Sequence, residues 1–229
     1  MRGPDRAPPQ LQDEDGSMNT FPQTTASTAW PAIDAVEPAR RALDLAGALL
    51  LLVLAAPLML LTALVLLLLQ GRPILYSQTR VGRGGVPFRI HKFRSMRRDA
   101  EADGRARWAR IGDDRITPAG RLIRLTRIDE LPQLLNVLRG DMSLVGPRPE
   151  RPEFVAQLGA QLPGYAQRHG VKPGITGWAQ VRGAYAASME ESAAKLQHDL
   201  HYLRHRSLAL DLRILAETVR VVISGAGAR

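Results

Sequence analysis

The sequence of 229 residues contains no cysteine. This absence excludes disulfides, zinc sites with cysteine ligands, iron–sulfur clusters and thiol nucleophiles. Aromatic residues make up only 5% of the chain, so few rings are available on which nucleic-acid bases could stack. We therefore expect no nucleic acid among its partners.

Several common catalytic motifs are missing as well. The chain has no Walker motif, no GxSxG, no HExxH and no GxGxxG after a strand. It has instead an excess of positive charge, with 31 lysines and arginines against 22 aspartates and glutamates and a formal net charge of +9. This charge favours an anionic membrane surface or a phosphorylated substrate.

The apolar residues are concentrated in one segment. Hydrophobic residues account for 45% of the chain, yet the mean hydropathy is only −0.13. No charged residue occurs from Leu45 to Leu69. A straight helix over this run would be roughly 37 Å long, against about 30 Å for the hydrocarbon core of a bilayer. The sequence thus predicts a disordered tail over residues 1–38, a membrane-embedded segment over residues 39–71 and a basic domain over residues 72–229.

Pro57 lies at the middle of the apolar run. It removes one main-chain hydrogen bond and clashes with the preceding turn, which predicts a kink or a break. One alternative is a bent helix that spans the bilayer, which the length of the run favours. The other is a helix–break–helix hairpin that enters and leaves on the same side, and basic residues on both flanks are typical of such a re-entrant segment. These flanking residues are Arg40, Arg41, Arg72, Arg80 and Arg83.

Beyond residue 71 the pattern indicates an α+β fold, mostly helical with a small β component. Thr117 followed by Pro118 is typical of a helix start, with Thr as the cap and Pro in the first turn. A stripe of apolar residues marks one face of the last helix, from Leu208 to Val222. The predicted elements are a hairpin around Gly82, helices over residues 117–127, 129–140, 189–206 and 208–223, and loops over residues 146–149 and 172–177.

Two adjacent carboxylates, Asp129 and Glu130, follow a row of cations. The cations recur every three residues and share a helix face: Arg121, Arg124 and Arg127. This combination suits phosphoryl chemistry, because cations bind phosphate oxygens, one carboxylate holds a divalent metal and the other attacks phosphorus. The alternative is structural, with Asp129 as a helix N-cap and Pro132 in the first turn.

Two further groups could bind a ligand. In Pro147-Arg148-Pro149, two prolines restrict the backbone around one guanidinium, which lowers the entropy cost of holding it against an anion. The alternative is a rigid surface turn. His198, His201 and His205 share one helix face and form a weak candidate metal set. Because Asp199 points elsewhere, a polar or amphipathic surface is favoured for this face.

Together these motifs resemble the bacterial sugar transferase family, the small monotopic phosphoglycosyl transferases that act on polyprenyl phosphate. The resemblance extends from about Arg40 to Arg229 and rests on five blocks in order. The blocks are GRPILYSQTRVG at 71–82, FRIHKFRSM at 88–96, DELPQLLNVLRGDMSLVGPRP at 129–149, KPGITGWAQV at 172–181 and SLALDLRIL at 207–215.

The resemblance implies an activity and roles for individual residues. Such enzymes transfer a sugar 1-phosphate from a UDP-sugar to undecaprenyl phosphate and release UMP, which initiates exopolysaccharide or surface-glycan synthesis. By resemblance, Asp129 is the nucleophile that forms a covalent phosphosugar intermediate, and Glu130 is the ligand of a Mg²⁺ cofactor. Substrate and phosphate contacts are implied at Lys92, Arg94, Arg124, Pro147, Arg148 and Pro149.

The resemblance also implies a topology. The family's membrane segment is re-entrant and broken at a proline that matches Pro57, with both ends in the cytoplasm. This predicts the bacterial inner membrane, with the catalytic domain and interfacial amphipathic helices on its cytoplasmic face.

Two other functions stay open at this stage. A membrane-anchored, magnesium-dependent phosphohydrolase would use the same acids and arginines with water as the acceptor. A non-enzymatic, membrane-surface binder of nucleic acid or anionic lipid would depend steeply on salt and would tolerate replacement of Asp129. The sequence also leaves open which sugar is transferred and whether the protein is a homodimer.

Overall fold

The computed structural model describes residues 31–104, 106–108, 112–183 and 189–224. Residues 1–30 of the predicted tail lie outside the described residues, and the first helix already begins at Pro31. The α-helices within the described residues are α1 (Pro31–Gln70), α2 (Pro118–Leu125), α3 (Leu134–Arg139), α4 (Pro152–Gln161), α5 (Trp178–Val181), α6 (Met189–His205) and α7 (Leu208–Ser224). The fold is mostly helical with a small β component, as predicted.

Two pairs of strands accompany the helices. Strands β1 (Leu75–Val81) and β2 (Pro87–Phe93) form an antiparallel hairpin, which confirms the predicted one. Strands β3 (Ser143–Val145) and β4 (Gly174–Thr176) form a short parallel pair. The prediction of a loop over residues 172–177 is therefore wrong at β4. This three-residue strand has no alternating pattern of its own and exists because β3 pairs with it from a distant part of the chain.

Helix α1 is one continuous helical element through Pro57. The sequence pattern left a bent helix and a broken one open, and the resemblance implied a break at Pro57, whereas the helix extends over 40 residues with Pro38 and Pro57 inside it. Most of its apolar surface is uncovered: over residues Glu37–Gln70 the helix is apolar enough to cross a membrane, and only 11% of the most apolar window is buried. A helix with this much exposed leucine indicates membrane association.

Both ends of α1 pack on the folded domain. On the N-terminal side of Pro57, Ala48 is fully buried in the main core cluster, where it lies with Val137, Met142 and Ile214. Near its end, Leu66 packs in a separate cluster with residues of β2 and α2. The domain therefore contacts the apolar helix on both sides of Pro57.

The helix boundaries in the domain follow local signals. The Thr117 hydroxyl accepts a hydrogen bond from the Gly120 amide at 2.9 Å and caps α2, as predicted. The predicted helix over residues 129–140 has two parts, a 3₁₀ helix over Ile128–Gln133 followed by α3. Pro132 lies within the 3₁₀ part, since it lacks the amide that a longer α-helix would need. Helices α6 and α7 match the predicted ranges closely.

Candidate active site

The two adjacent carboxylates lie in the first turn of the 3₁₀ helix that joins α2 to α3. The residue before this turn, Arg127, has a left-handed backbone with φ 59°, a conformation that costs energy for any residue other than glycine. It reverses the chain between α2 and the carboxylates. The cap position belongs to Arg127 and not to Asp129, so the alternative in which Asp129 is a helix N-cap is wrong.

Glu130 is buried and bound by two cations from different parts of the chain. The Lys92 ammonium on β2 donates to Glu130 Oε1 at 2.8 Å. The Arg148 guanidinium donates from Nη1 to Oε2 at 3.2 Å and from Nη2 to Oε1. Burial alone would raise the pKa of Glu130, but the charges of Arg148 and Lys92 hold this pKa well below its usual range. Glu130 is therefore an ionised carboxylate at neutral pH.

Asp129 has the opposite electrostatic balance. It is 5% exposed, and burial, followed by the negative charge of Glu130, raises the pKa of Asp129 to about 6. The charges of Lys92, Arg124 and Arg148 oppose this shift. The carboxylate stays mostly ionised at neutral pH but is more basic than an ordinary aspartate, which strengthens it as a nucleophile.

The predicted cations do not all converge on the carboxylates. Lys92 and Arg148 contact Glu130 directly, and Arg124 acts on Asp129 through its charge. Arg94, by contrast, donates from Nη2 to the carbonyls of Gln70 at 2.7 Å and Gly71 at 3.0 Å. Its guanidinium thus binds the C-terminal end of α1, a common place for a cation, and its predicted phosphate contact stays a prediction.

The Pro147-Arg148-Pro149 loop begins directly after β3 and the glycine at 146. The Gly146 amide donates to the Thr176 carbonyl at 2.9 Å, which continues the β3–β4 pairing into the loop. The parallel pair therefore determines where the loop leaves the core, and from there the Arg148 side chain extends to Glu130.

The carboxylate pair suits a magnesium ion by the chemistry of its donors. Mg²⁺ prefers oxygen ligands and commonly binds one or two carboxylates together with substrate phosphates and water. Asp129 and Glu130 are adjacent, buried and repel each other, which is shown by the raised pKa of Asp129, and a divalent cation would relieve this repulsion. Among the described residues no group of three or more histidines, aspartates and glutamates could hold a metal ion, so most ligands of such an ion would come from substrate and water.

The histidines of α6 form a surface stack. The rings of His201 and His205 lie 4.2 Å apart, and His201 stacks on Trp178 at 5.5 Å. Asp199 faces the interior and pairs with Arg168 at 2.8 Å. The prediction that Asp199 does not complete a histidine metal set is confirmed by this pairing.

A group of buried charges, which the sequence pattern did not indicate, supports the Arg148 loop. Its members are Arg80, Glu150, Arg168, Lys195 and Asp199, and their side chains are at most 19% exposed. Arg80 lies within a recognised block, but the other four come from three further places in the chain: Glu150 follows the Arg148 loop, Arg168 lies in a 3₁₀ helix over Tyr165–Gly170, and Lys195 and Asp199 share α6. A charged residue on the apolar face of a helix, such as Asp199 among Leu196, Leu200 and Leu203, is a signal that could have indicated a buried pair.

The chain is similar to a known family of proteins over most of its length. The sequence model of the family described as bacterial sugar transferase matches residues 35–225. The chain is 47% identical over 190 residues to a UDP-N-acetylgalactosamine-undecaprenyl-phosphate N-acetylgalactosaminephosphotransferase of Aeromonas hydrophila, a match that covers 83% of this chain and 45% of that protein. It is 46% identical over 187 residues to a UDP-glucose:undecaprenyl-phosphate glucose-1-phosphate transferase of Caulobacter vibrioides, covering 81% of this chain and 70% of the other.

A third relative is the uncharacterized sugar transferase EpsL of Bacillus subtilis. It is 44% identical over 189 residues, which cover 82% of this chain and 89% of that protein. The chain thus spans less than half the length of the Aeromonas protein that it matches and most of the length of the other two.

Proposed function

The chain belongs to the bacterial sugar transferase family, and on that premise we propose that it transfers a sugar 1-phosphate from a UDP-sugar to undecaprenyl phosphate. The products are a polyprenyl-diphosphate sugar and UMP. The observation that carries the proposal is the buried Asp129–Glu130 pair, on which Lys92 and Arg148 converge. The relatives named for this reaction use UDP-glucose or UDP-N-acetylgalactosamine with undecaprenyl phosphate.

We propose a two-step route with Asp129 as the nucleophile. In the first step an Asp129 carboxylate oxygen bonds to the β-phosphorus of the UDP-sugar, and the bond from that phosphorus to the oxygen shared with the α-phosphate breaks. UMP leaves with the electron pair, and the sugar phosphate stays on Asp129 as an acyl phosphate. In the second step an oxygen of undecaprenyl phosphate bonds to the same phosphorus, and Asp129 leaves as a carboxylate.

The remaining site residues bind and orient. Lys92 and Arg148 hold Glu130 ionised and carry positive charge for the phosphate oxygens, and Arg124 adds charge beside Asp129. Arg148 presents a planar fork that suits a phosphate, and the flanking Pro147 and Pro149 restrict its backbone. Glu130 would hold the magnesium ion, which when bound neutralises negative charge on the phosphate oxygens.

We also propose that α1 is re-entrant, with both ends on the cytoplasmic side of the inner membrane. Its N-terminal end is tied to the domain by Arg41, which donates to the Val137 carbonyl at 2.6 Å, and by Asp44, which accepts from the Leu144 amide at 2.8 Å. Its C-terminal end is tied to the same domain through Gln70 and Arg94. A spanning helix would separate these ends by a hydrocarbon layer of about 30 Å, which a polar domain cannot cross.

Exposed apolar residues outside α1 support contact with the membrane surface. Six of them lie on α2 and α7, which would be the interfacial amphipathic helices: Leu122, Leu125, Leu212, Val219, Val222 and Ile223. Leu122 is 62% exposed and Ile223 is 81% exposed. Contact of these apolar side chains with water costs free energy, and a lipid interface would remove that contact. This arrangement would bring the carboxylates to the level of the lipid phosphate, at the first membrane step of exopolysaccharide or surface-glycan synthesis.

A UMP-release assay with Asp129→Asn tests the proposal. The detergent-purified protein is given UDP-glucose or UDP-N-acetylgalactosamine that carries a label in the sugar, with and without undecaprenyl phosphate. We expect UMP and labelled lipid from the native protein and neither from Asp129→Asn, because a neutral amide cannot form the acyl phosphate. Without lipid, the native protein should keep sugar label after denaturation.

The matched control is Asp99→Asn, which neutralises an aspartate whose side chain is 71% exposed and should retain full turnover. Native turnover in Asp129→Asn would overturn the nucleophile assignment. Free sugar phosphate formed at the same rate without lipid would instead identify a phosphohydrolase.

A further inference from the structure

Every main-chain carbonyl from Pro147 to Glu150 accepts a hydrogen bond from another part of the chain. The two outer carbonyls accept from main-chain amides. The Gly174 amide donates to the Pro147 carbonyl at 3.0 Å, and the Val81 amide donates to the Glu150 carbonyl at 2.9 Å. These two bonds attach the loop to β4 on one side and to β1 on the other.

The two inner carbonyls accept from arginine side chains. Arg168 Nη2 donates to the Arg148 carbonyl at 2.8 Å. Arg80 Nη1 donates to the Pro149 carbonyl at 3.3 Å. Two guanidiniums thus bind consecutive peptide groups of the loop whose Arg148 side chain meets Glu130.

Arg168 is held in place by a buried carboxylate. Its Nε and Nη2 donate to Asp199 Oδ2 at 3.0 and 2.8 Å, and the two side chains are 2% and 3% exposed. The Tyr165 ring lies 5.2 Å from the guanidinium carbon. Arg168 Nη2 therefore joins Asp199 to the Arg148 carbonyl through a single nitrogen.

Arg80 has its own support. Its Nη2 donates to Gln78 Oε1 at 2.8 Å, and its Nη1 lies 3.6 Å from Glu150 Oε2. Glu150 also pairs with Lys195 of α6. Burial would raise the pKa of Glu150, but the charges of Lys195 and Arg80 lower this pKa to about 2, so the supporting carboxylate is ionised whenever the protein is folded near neutral pH.

We propose that Arg80 and Arg168 are positioning residues that clamp the Pro147–Pro149 backbone and thereby aim the Arg148 side chain at the phosphates and Glu130. The proposal rests on the proposed transferase function. Burying charged pairs is a poor way to gain stability, because an apolar pair of equal volume often stabilises a fold as well or better. Main-chain carbonyls bound by rigid, planar guanidiniums instead restrict where the loop lies, and a small displacement of a catalytic cation has a large effect on rate.

A double-mutant cycle in kcat/KM separates positioning from general support. The variants are Arg168→Lys, Arg148→Lys and both together. Lysine keeps the charge but lacks the planar fork in which Nε and Nη2 together bind Asp199 and thereby fix the direction in which Nη2 meets the Arg148 carbonyl. We expect Arg168→Lys to lower kcat/KM about 10-fold or more in the native background but less than about 3-fold when Arg148 is already lysine, since coupled residues are not additive.

The matched control is Arg40→Lys, which alters another buried arginine–aspartate pair. Arg40 lies 3.0 Å from Asp211, and these side chains are 4% and 5% exposed. Its effect on kcat/KM should be the same in both Arg148 backgrounds. If Arg168→Lys lowers kcat/KM by the same factor in the native and the Arg148→Lys backgrounds, the proposal is overturned, because that result is expected if Arg168 only supports the fold.

A second measurement does not depend on turnover. Hydrogen exchange of the peptide over residues 146–151, without substrate, should be faster in Arg168→Lys than in Arg40→Lys when both are folded. Unchanged exchange would overturn the clamp even if the protein is a transferase. If the native protein transfers no sugar phosphate, exchange still tests the clamp separately from the function.

Arg80→Lys provides a milder variant should Arg168→Lys fold poorly. It loses the bond to the Pro149 carbonyl while Glu150 keeps Lys195. Coupling of Arg80→Lys to Arg148→Lys, together with faster exchange over residues 146–151, would support the clamp. Additive effects of the two substitutions on kcat/KM, together with unchanged hydrogen exchange over residues 146–151, would contradict it.

Discussion

Asp129 and Glu130 are neighbours in the chain whose environments separate their pKa values. Two cations bind Glu130 and hold its pKa well below the usual range, while burial and the charge of Glu130 raise the pKa of Asp129 to about 6. Such a separation is typical of carboxylate pairs with different roles. It supports Asp129 as the group that reacts and Glu130 as a charge that organises cations.

Replacing Arg148 with lysine tests the guanidinium itself. Arg148→Lys keeps one positive charge but loses the fork that reaches both oxygens of Glu130. We expect kcat/KM to fall about 10- to 150-fold, which corresponds to about 1.5–3 kcal/mol, while the protein is still produced and folded. Arg139→Lys, an exposed change on α3, should leave the rate unaltered, and a fully active Arg148→Lys protein would reduce the loop to a structural turn.

At the scale of elements, the parallel β3–β4 pair connects the core to the Arg148 loop. The backbones of Gly146 and Gly174 approach so closely that a Cβ on Gly174 would overlap the Gly146 amide. Since the neighbouring atoms belong to the main chain, they cannot move aside without shifting the loop. Glycine is thus required here for close approach of the backbones.

Gly174→Ala should therefore harm both stability and activity. Overlap with main-chain atoms in a packed core costs about 1–3 kcal/mol, and the displaced loop should lower kcat further. The measurements are a chemical unfolding curve and the UMP-release rate. Gly159→Ala on α4, where a Cβ meets no atom within 4 Å, should instead stabilise by about 0.5–1 kcal/mol with native activity. Equal unfolding midpoints for the two variants would contradict the close-packing argument.

The path of α1 is tested by single cysteines, because the natural chain has none. Ala39→Cys and Arg72→Cys introduce thiols at exposed positions that flank the apolar run. For a re-entrant helix we expect both to be shielded from an impermeant thiol reagent in intact spheroplasts and labelled after lysis. Labelling of only one in intact cells would indicate a spanning helix.

Removing Pro57 should change that pattern. Pro57→Leu restores the missing amide donor, and the apolar run is already long enough to span. We expect Ala39→Cys to become accessible from outside in this background, with loss of transferase activity because the ties of Arg41 and Asp44 to the domain would break. Unchanged labelling would mean that Pro57 does not determine the topology.

At the scale of the whole molecule, charge and exposed apolar surface act together. A formal charge of +9 attracts anionic lipid and phosphorylated substrate, and exposed leucines on three helices favour a lipid interface. The interior of the domain carries buried charges as well, and these make global stability depend on pH.

Stability should fall with acid through His169. Burial, and next the charge of Arg168, lower the pKa of His169 to about 3, whereas an unfolded histidine titrates near pH ~6.5. Between these values the unfolded chain binds more protons, so the free energy of unfolding decreases as pH falls below about 6.5, by at most about 1.4 kcal/mol per pH unit. His169→Gln should flatten this slope between pH ~6.5 and ~5.5 when unfolding is measured in detergent. An identical slope in the variant would show that His169 is not the group responsible.

Much of the architecture follows from local patterns. The apolar run, the capped start of α2 at Thr117 and the long helices α6 and α7 were predicted because each rests on a signal within a few turns of chain. The predicted helix over residues 129–140 did not distinguish its 3₁₀ part at Ile128–Gln133, which contains Pro132. The strand β4 was not predicted, because it forms by pairing with β3 from a distant part of the chain.

In the candidate site, too, some features follow from local patterns and others depend on distant parts of the chain. Asp129, Glu130 and Arg148 were identified from residue type and spacing together with the family resemblance. The sequence did not indicate that Lys92 would meet these residues or that Arg94 would bind the C-terminal end of α1. It also did not indicate that Arg80 and Arg168 would support the loop. Hydrogen bonds between residues tens of positions apart leave no periodic trace in a single sequence.

The sequence by itself determined the chemistry available to this protein: a basic chain without thiols, one apolar helix with a central proline, and adjacent carboxylates near a stiff arginine loop. Only the tertiary structure decided which cation meets which carboxylate and that both ends of α1 contact one domain. The physical reason is that side-chain type and local propensity act over a few residues. Burial, pKa values and ion pairs arise from the three-dimensional surroundings, which pack together residues that are far apart in the chain.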